Sequence, residues 1–219
     1  MKKYVNLFVF VFMIGACLSQ GRAQTKSAVS YKNPVVDIAM PDPTVIKAAD
    51  GYFYVYATES TRNVPIMKSK DLVEWTYCNT AFTNKTRPRF EPKAGIWAPD
   101  INYINSKYVL YYAMSVWGGE QTCGIGVATA DSPQGPFTDH GKMFRSNEIG
   151  VQNSIDPSLL QYEGRNYLVW GSFRGIYVIE LTADGLSIMS GTKKKRIAGT
   201  AFEAVYIHKH GDYYYMFAS

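Results

Sequence analysis

The chain has 219 residues, with 23 Lys and Arg against 18 Asp and Glu, and a formal net charge of +5. Lys2, Lys3 and Arg22 fall in the first 23 positions, so the remainder is closer to neutral still, with no electrostatic basis for holding nucleic acid or an anionic membrane surface. Three cysteines are too few for a disulfide framework, and no Cys/His group has zinc spacing.

Lys2 and Lys3 precede a nearly apolar stretch over residues 5–16, and Gly21-Arg22-Ala23 sets small residues before a cleavage point. Residues 1–23 are therefore expected to be a signal peptide. The apolar stretch is too short to span a bilayer as a stable helix. Ile14-Gly15-Ala16-Cys17 offers a second reading, a lipoprotein box in which Cys17 would carry a lipid anchor, the one expected contact with a membrane. Both readings place the protein outside the cytoplasm of a bacterium: periplasmic, extracellular or on the cell surface.

Residues 24–33 read as a polar leader, and residues 34–219 show no linker or composition break, which predicts one domain. Its 17 Tyr and 11 Phe fall mostly in short alternating runs, the pattern of an all-β chain. Four times a carboxylate opens the same phrase: Asp42, Asp100, Asp156 and Glu203. After each acid come a few apolar residues, a polar turn (Ala49-Asp50-Gly51, Asn105-Ser106-Lys107, Glu163-Gly164, His210-Gly211) and an aromatic strand. Self-similarity with a period of about fifty residues, built of short strands, predicts the blades of a β-propeller. Tyr52-Phe53-Tyr54-Val55-Tyr56 is expected to be a strand of the first blade, with Trp75 closing its outer edge. Gly124 to Ala130 and Gly175 to Leu181 should be third strands of the next two. The fourth blade is expected to reach only its second strand, ending at Phe217-Ala218-Ser219. Three and a half blades do not close a ring, which favours a chain that is part of a longer one.

Two smaller features have bland readings. Lys193-Lys194-Lys195-Arg196 is expected to be a solvated loop. His208 and His210 share a strand face, a weak basis for a metal site, and Cys78 and Cys123 are free to pair in an oxidising compartment.

A propeller draws the starts of its innermost strands toward one axis, so the repeat gathers acids that are distant in sequence. Paired carboxylic acids, one ionised and one protonated, are what glycosidic bond cleavage requires. A third acid nearby raises the proton affinity of the donor.

Pro41-Asp42-Pro43-Thr44, Trp97-Ala98-Pro99-Asp100, Ser154-Ile155-Asp156-Pro157 and Phe202-Glu203-Ala204 together resemble, in order and spacing, the blade starts of glycoside hydrolase family 43. The resemblance runs from about residue 33 to the end. It implies a five-bladed propeller and an inverting mechanism, with Asp42 as general base, Glu203 as general acid and Asp156 as modulator of the acid. Asp100 is read as a supporting or strand-start residue. Asn153-Ser154-Ile155-Asp156 and Gly171-Ser172-Phe173 look most like the endo-1,5-α-L-arabinanases, which implies arabinan, or another pentose-containing plant polysaccharide, as substrate. On that likeness Trp97, Gly118, Asn153, Ser154, Ile155, Ser172 and Phe173 would line the sugar site. Trp117 shares a loop with Gly118, and Arg174 departs from the aromatic residue usual after Ser-Phe. The chemistry needs no cofactor. A structural calcium ion on the propeller axis is implied by the likeness alone, with its ligands unassigned. An exo-acting α-L-arabinofuranosidase or β-xylosidase and a non-catalytic glycan-binding propeller remain the alternatives.

Overall fold

The computed structural model describes residues 30–219. The expected signal peptide, the alternative lipid anchor at Cys17 and most of the polar leader lie outside the described residues. Three four-stranded antiparallel sheets follow one another along the chain, then a two-stranded hairpin. The first sheet contains β1 (Thr44–Lys47), β2 (Phe53–Tyr56), β3 (Pro65–Ser69) and β4 (Trp75–Thr80). The second contains β5 (Gly95–Ile104), β6 (Lys107–Ser115), β7 (Gly124–Ala130) and β8 (Thr138–Arg145), followed by the short helix α1 (Ser146–Ile149). The third contains β9 (Ser158–Tyr162), β10 (Arg165–Trp170), β11 (Ile176–Glu180) and β12 (Lys195–Ala198), and the hairpin is β13 (Tyr206–His210) with β14 (Tyr213–Phe217).

Each sheet is a meander in sequence order, which is the connectivity of propeller blades. The turns explain the register. Asn105-Ser106 and Glu163-Gly164 hold positive φ at both central positions, the tight turn whose twist matches that of the flanking strands. Asp50 builds the β1–β2 turn instead with its side chain, accepting the Tyr52 amide at 3.0 Å and the Tyr54 hydroxyl at 2.7 Å. The expected strands at residues 52–56, 124–130 and 175–181 are all present, and Trp75 opens the outer strand of the first sheet.

The core lies between sheets, and strand alternation shows how. On β6, Tyr108, Leu110, Tyr112 and Met114 pack with Tyr54, Tyr56, Ile66 and Phe82 of the first sheet and its following loop. The intervening Val109 and Tyr111 pack with Leu168, Trp170 and Ile179 of the third. A period of two thus sends alternate residues to opposite neighbours. The second sheet is covered on both faces, and each large side chain buried there contributes about 1.5–3 kcal/mol. Val169 and Ile176 meet Val205 and Ile207, joining the third sheet to the hairpin.

Two expectations are corrected here. Lys195 and Arg196 belong to β12, an exposed outer strand, rather than to a loop; charge on an edge discourages pairing with another chain. Cys78 and Cys123 are both free thiols: Cys78 lies on β4 of the first sheet, while Cys123 is buried beside Ser146.

Candidate active site

Just before the first strand of the first and third sheets and of the hairpin, and at a register shift inside β5, the backbone bends through a positive φ: 49° at Asp42, 56° at Asp156, 51° at Ala204 and 37° at Ala98. Asp42, Ala98 and Asp156 each precede a proline. The acid is itself the bent residue in the first and third repeats. In the second, Ala98 takes the bend and Asp100 follows two positions later, inside β5. In the fourth, Ala204 takes it and Glu203 stands one position earlier. The four carboxylates therefore do not share one register, contrary to the reading from sequence.

The offset separates their roles. Asp42, Asp156 and Glu203 face a cleft of about 1050 Å³ to which all three sheets and the hairpin contribute; Asp100 also borders it, but with its carboxyl engaged by the framework. Asp156 is pushed up to about 7, first by burial and then by the negative charges of Glu203 and Asp42, against a stabilising donation from the Ala204 amide. At that value the Asp156 carboxyl is partly protonated near neutrality. Ser172 donates to Glu203 Oε2 at 2.8 Å, and Thr58 donates to Asp42 Oδ2 at 2.6 Å. Ser172 reaches Glu203 because the chain bends sharply at Gly171, φ 128°, where a Cβ would stand 2.3 Å from the Gly175 carbonyl oxygen.

Asp100 serves the framework. Its carboxyl accepts the Leu159 amide and the Asn102 side-chain amide, both at 2.7 Å, and so ties the second sheet to the third. Burial pushes it up to about 6, while the Leu159, Asn102 and Thr44 donors pull the other way.

Of the residues expected to line a sugar site, Trp97, Gly118, Asn153, Ile155, Ser172 and Phe173 all border the cleft. Trp97 rests on Ala113, Cys123 and Ile155, and its ring lies 5.4 Å from that of Trp117, which is 94% exposed. Asn153 donates to the Ser172 carbonyl at 3.2 Å. Ser154 is a correction. It is fully buried, donates to the Val151 carbonyl and accepts the Trp170 indole N–H, so it supports the cleft floor from behind. Arg174, the departure from the family pattern, makes a two-pronged ion pair with Glu120 across the mouth, at 3.1 and 3.0 Å.

Sequence reasoning missed Thr58 and Glu59, which follow β2. Glu59 pairs with the buried Arg87 and accepts the Ile96 amide at 3.0 Å, fastening the first sheet to the second. The available signal was the polar Thr-Glu pair ending a strand that is otherwise wholly apolar. Among the described residues, no group of three or more His, Cys, Asp or Glu side chains gathers to hold a metal ion.

A cleft in which acids from the first sheet, the third sheet and the hairpin converge is the construction of a glycoside hydrolase propeller. Residues 31–219 match the profile of glycosyl hydrolases family 43, and the chain belongs to that family. It is 34% identical over 190 residues to an extracellular endo-α-(1→5)-L-arabinanase of Bacillus subtilis, a match spanning 81% of this chain and 58% of that one. The native arabinanase structure from Bacillus subtilis superposes with a TM-score of 0.72 at 31% identity, covering 84% of this chain and 66% of that one. An exo-1,5-α-L-arabinanase from a bovine ruminal metagenomic library superposes with a TM-score of 0.71 at 30% identity, covering 86% and 67%. The chain spans little more than half the length of the curated relatives it matches.

Proposed function

We propose that the protein is an exported, inverting glycoside hydrolase that cleaves α-1,5-linked L-arabinan. The observation that carries this reading is the convergence of Asp42, Asp156 and Glu203 on one cleft, with charge on two of them felt at the third. Asp42 deprotonates a water on one side of the anomeric carbon, while Glu203 protonates the departing glycosidic oxygen on the other. Asp156 keeps a proton within the group as negative charge accumulates. Trp97 and Trp117 offer flat faces to a furanose ring. The Bacillus subtilis relatives, named as arabinanases, support the choice of polymer. A five-bladed ring and a calcium ion on its axis belong to this proposal too, since the resemblance implies both; calcium has no step in the chemistry described.

Release of short arabino-oligosaccharides from debranched linear 1,5-α-L-arabinan tests the reading. Asp42→Asn and Glu203→Gln should each abolish turnover while leaving oligosaccharide binding within about threefold. Loss of both residues' carboxyl chemistry without loss of hydrolysis would refute the assignment. Likeness to a solved exo-1,5-α-L-arabinanase favours a second reading, exo action at the same site. Products decide: mixed oligosaccharides mean internal cleavage, and a single small product from the first minutes means attack from the chain end.

A further inference from the structure

Asp42 Oδ2 is held by one hydroxyl whose proton has a single destination. Thr58 Oγ1 lies 2.6 Å from Asp42 Oδ2 and 2.7 Å from the amide nitrogen of Ala98. An amide N–H can only donate, so Ala98 occupies a lone pair of the Thr58 oxygen. An ionised carboxylate can only accept, so the one hydroxyl proton must point at Asp42. The reverse arrangement, with Thr58 accepting from a protonated Asp42, would leave the hydroxyl proton without this partner.

The surroundings hold each member of that relay. The Thr58 amide donates to the Pro41 carbonyl at 2.9 Å, fixing the chain on either side of the bend at Asp42. The Ala98 amide is placed by the seam between the first two sheets. There the Glu59 amide donates to the Ile96 carbonyl at 3.1 Å, and the Ile96 amide returns to Glu59 Oε1 at 3.0 Å. Arg87 holds both Glu59 oxygens and also donates to the Ala94 carbonyl at 2.8 Å. Among the described residues, Asp42 Oδ1 carries no protein hydrogen bond, which leaves that oxygen for a water. The charged groups facing Asp42 from elsewhere are Asp156, whose charge is coupled to it, and Glu203 beside Asp156.

We propose that Thr58 is a positioning residue for the general base: it orients Asp42 and directs the free Oδ1 at the attacking water. The proposal rests on the hydrolase reading above. It also makes the base report on the seam, because the donor that orients Thr58 comes from the neighbouring sheet. Loss of the seam releases the carboxylate even if Asp42 itself is untouched.

The test compares Thr58→Val, Thr58→Ala and Thr58→Ser in the full chain on linear arabinan. Val keeps the volume and loses the proton; Ala is the second deletion, should Val disturb packing. Both should lower kcat by about 30- to 100-fold with KM within about twofold, the effect of a donor or a placement lost at the reacting centre. The acidic limb of the kcat profile should move toward higher pH by about one unit, with the alkaline limb unmoved, because a carboxylate without its donor accepts a proton more readily. Ser should restore kcat to within about threefold of wild type and return the acidic limb to its place. Equal losses in Ser and Val, or a wild-type kcat and profile in Val and Ala, overturn the positioning role while leaving hydrolysis and the Asp42→Asn defect intact. A wild-type protein inert on arabinan, aryl arabinofuranosides and xylosides overturns the hydrolase reading, and the role of Thr58 falls with it.

Discussion

The proposed base and the proposed acid have different surroundings. Asp42 adjoins the first sheet, whose Tyr54, Tyr56 and Ile66 are almost wholly buried against the second and whose seam is fastened by Glu59 and Arg87. Glu203 adjoins the β13–β14 hairpin, where Tyr206, Tyr213, Tyr215 and Phe217 are all exposed. Its backbone is fixed mainly by reciprocal amide bonds with Ser219, both 3.1 Å, and its carboxyl by Ser172. The contrast teaches that equivalent positions in a repeat can be tied into the fold by different kinds of contact. Among the described residues, a packed seam lies beside Asp42, and hydrogen bonds from Ser172 and Ser219 lie about Glu203.

The largest way to sharpen this contrast is to cut the support of each half. Phe82→Ala removes a buried ring that packs on Tyr112 and Phe137, and should cost about 3–5 kcal/mol in chemical denaturation. In the 219-residue chain, Tyr215→Ala on the hairpin should cost about 0.5 kcal/mol. Similar costs for the two would dissolve the comparison.

A middle-sized effect concerns pH. Asp156 at about 7 and Asp100 at about 6 both sit above the usual carboxylate value of 3.8. The folded chain then binds more protons than the unfolded chain between about pH 4 and 7, so stability falls as pH rises through that window. Unfolding free energies at pH 5 and pH 8 should differ by at least about 1 kcal/mol from Asp156. Asp156→Asn should flatten the difference; an unchanged pH dependence in that variant would show that the charge is relieved in another way.

The smallest effect belongs to the cleft mouth. Arg174 and Glu120 are both substantially exposed, so Arg174→Ala should change stability by no more than about 0.5 kcal/mol despite the two-pronged geometry. Its influence should instead show in KM for long arabinan, with kcat on short substrates unaltered, because the pair joins the loop carrying Trp117 to the bend after Gly171. Steady-state kinetics on polymer and on a short oligosaccharide separate the two.

Much of the architecture was legible because inner strands announce themselves. Residues 52–56 and 107–115 are aromatic and apolar on both faces, and turns such as Asp50-Gly51 and Glu163-Gly164 have a mechanism of their own. Outer strands were harder. β8 and β12 have one partner each and little burial, so charge and glycine interrupt any alternation, and Lys195-Arg196 read as loop. The three cleft acids were legible through spacing, but the bend that sorts them was not: nothing in Trp97-Ala98-Pro99-Asp100 says that Ala98, rather than the acid, takes positive φ. Ser154 was misjudged for a related reason, since its neighbours Asn153 and Ile155 do border the cleft and only the path of the backbone turns the serine inward. Thr58 carries no motif; its role emerges from two partners, one of them 40 residues away.

The one-residue displacement of Glu203 from the bend bears on which acids the repeat can exchange. Asp42 and Asp156 occupy the bend and need only a short arm, whereas Glu203 starts from a different point along its chain and carries one more methylene. Shortening it to Asp would withdraw the carboxyl by about one carbon–carbon bond, ~1.5 Å. Displacements of about 1 Å already cost on the order of a hundredfold in rate. The choice between two nearly identical side chains is thus a matter of reach, set by where the backbone turned one residue later.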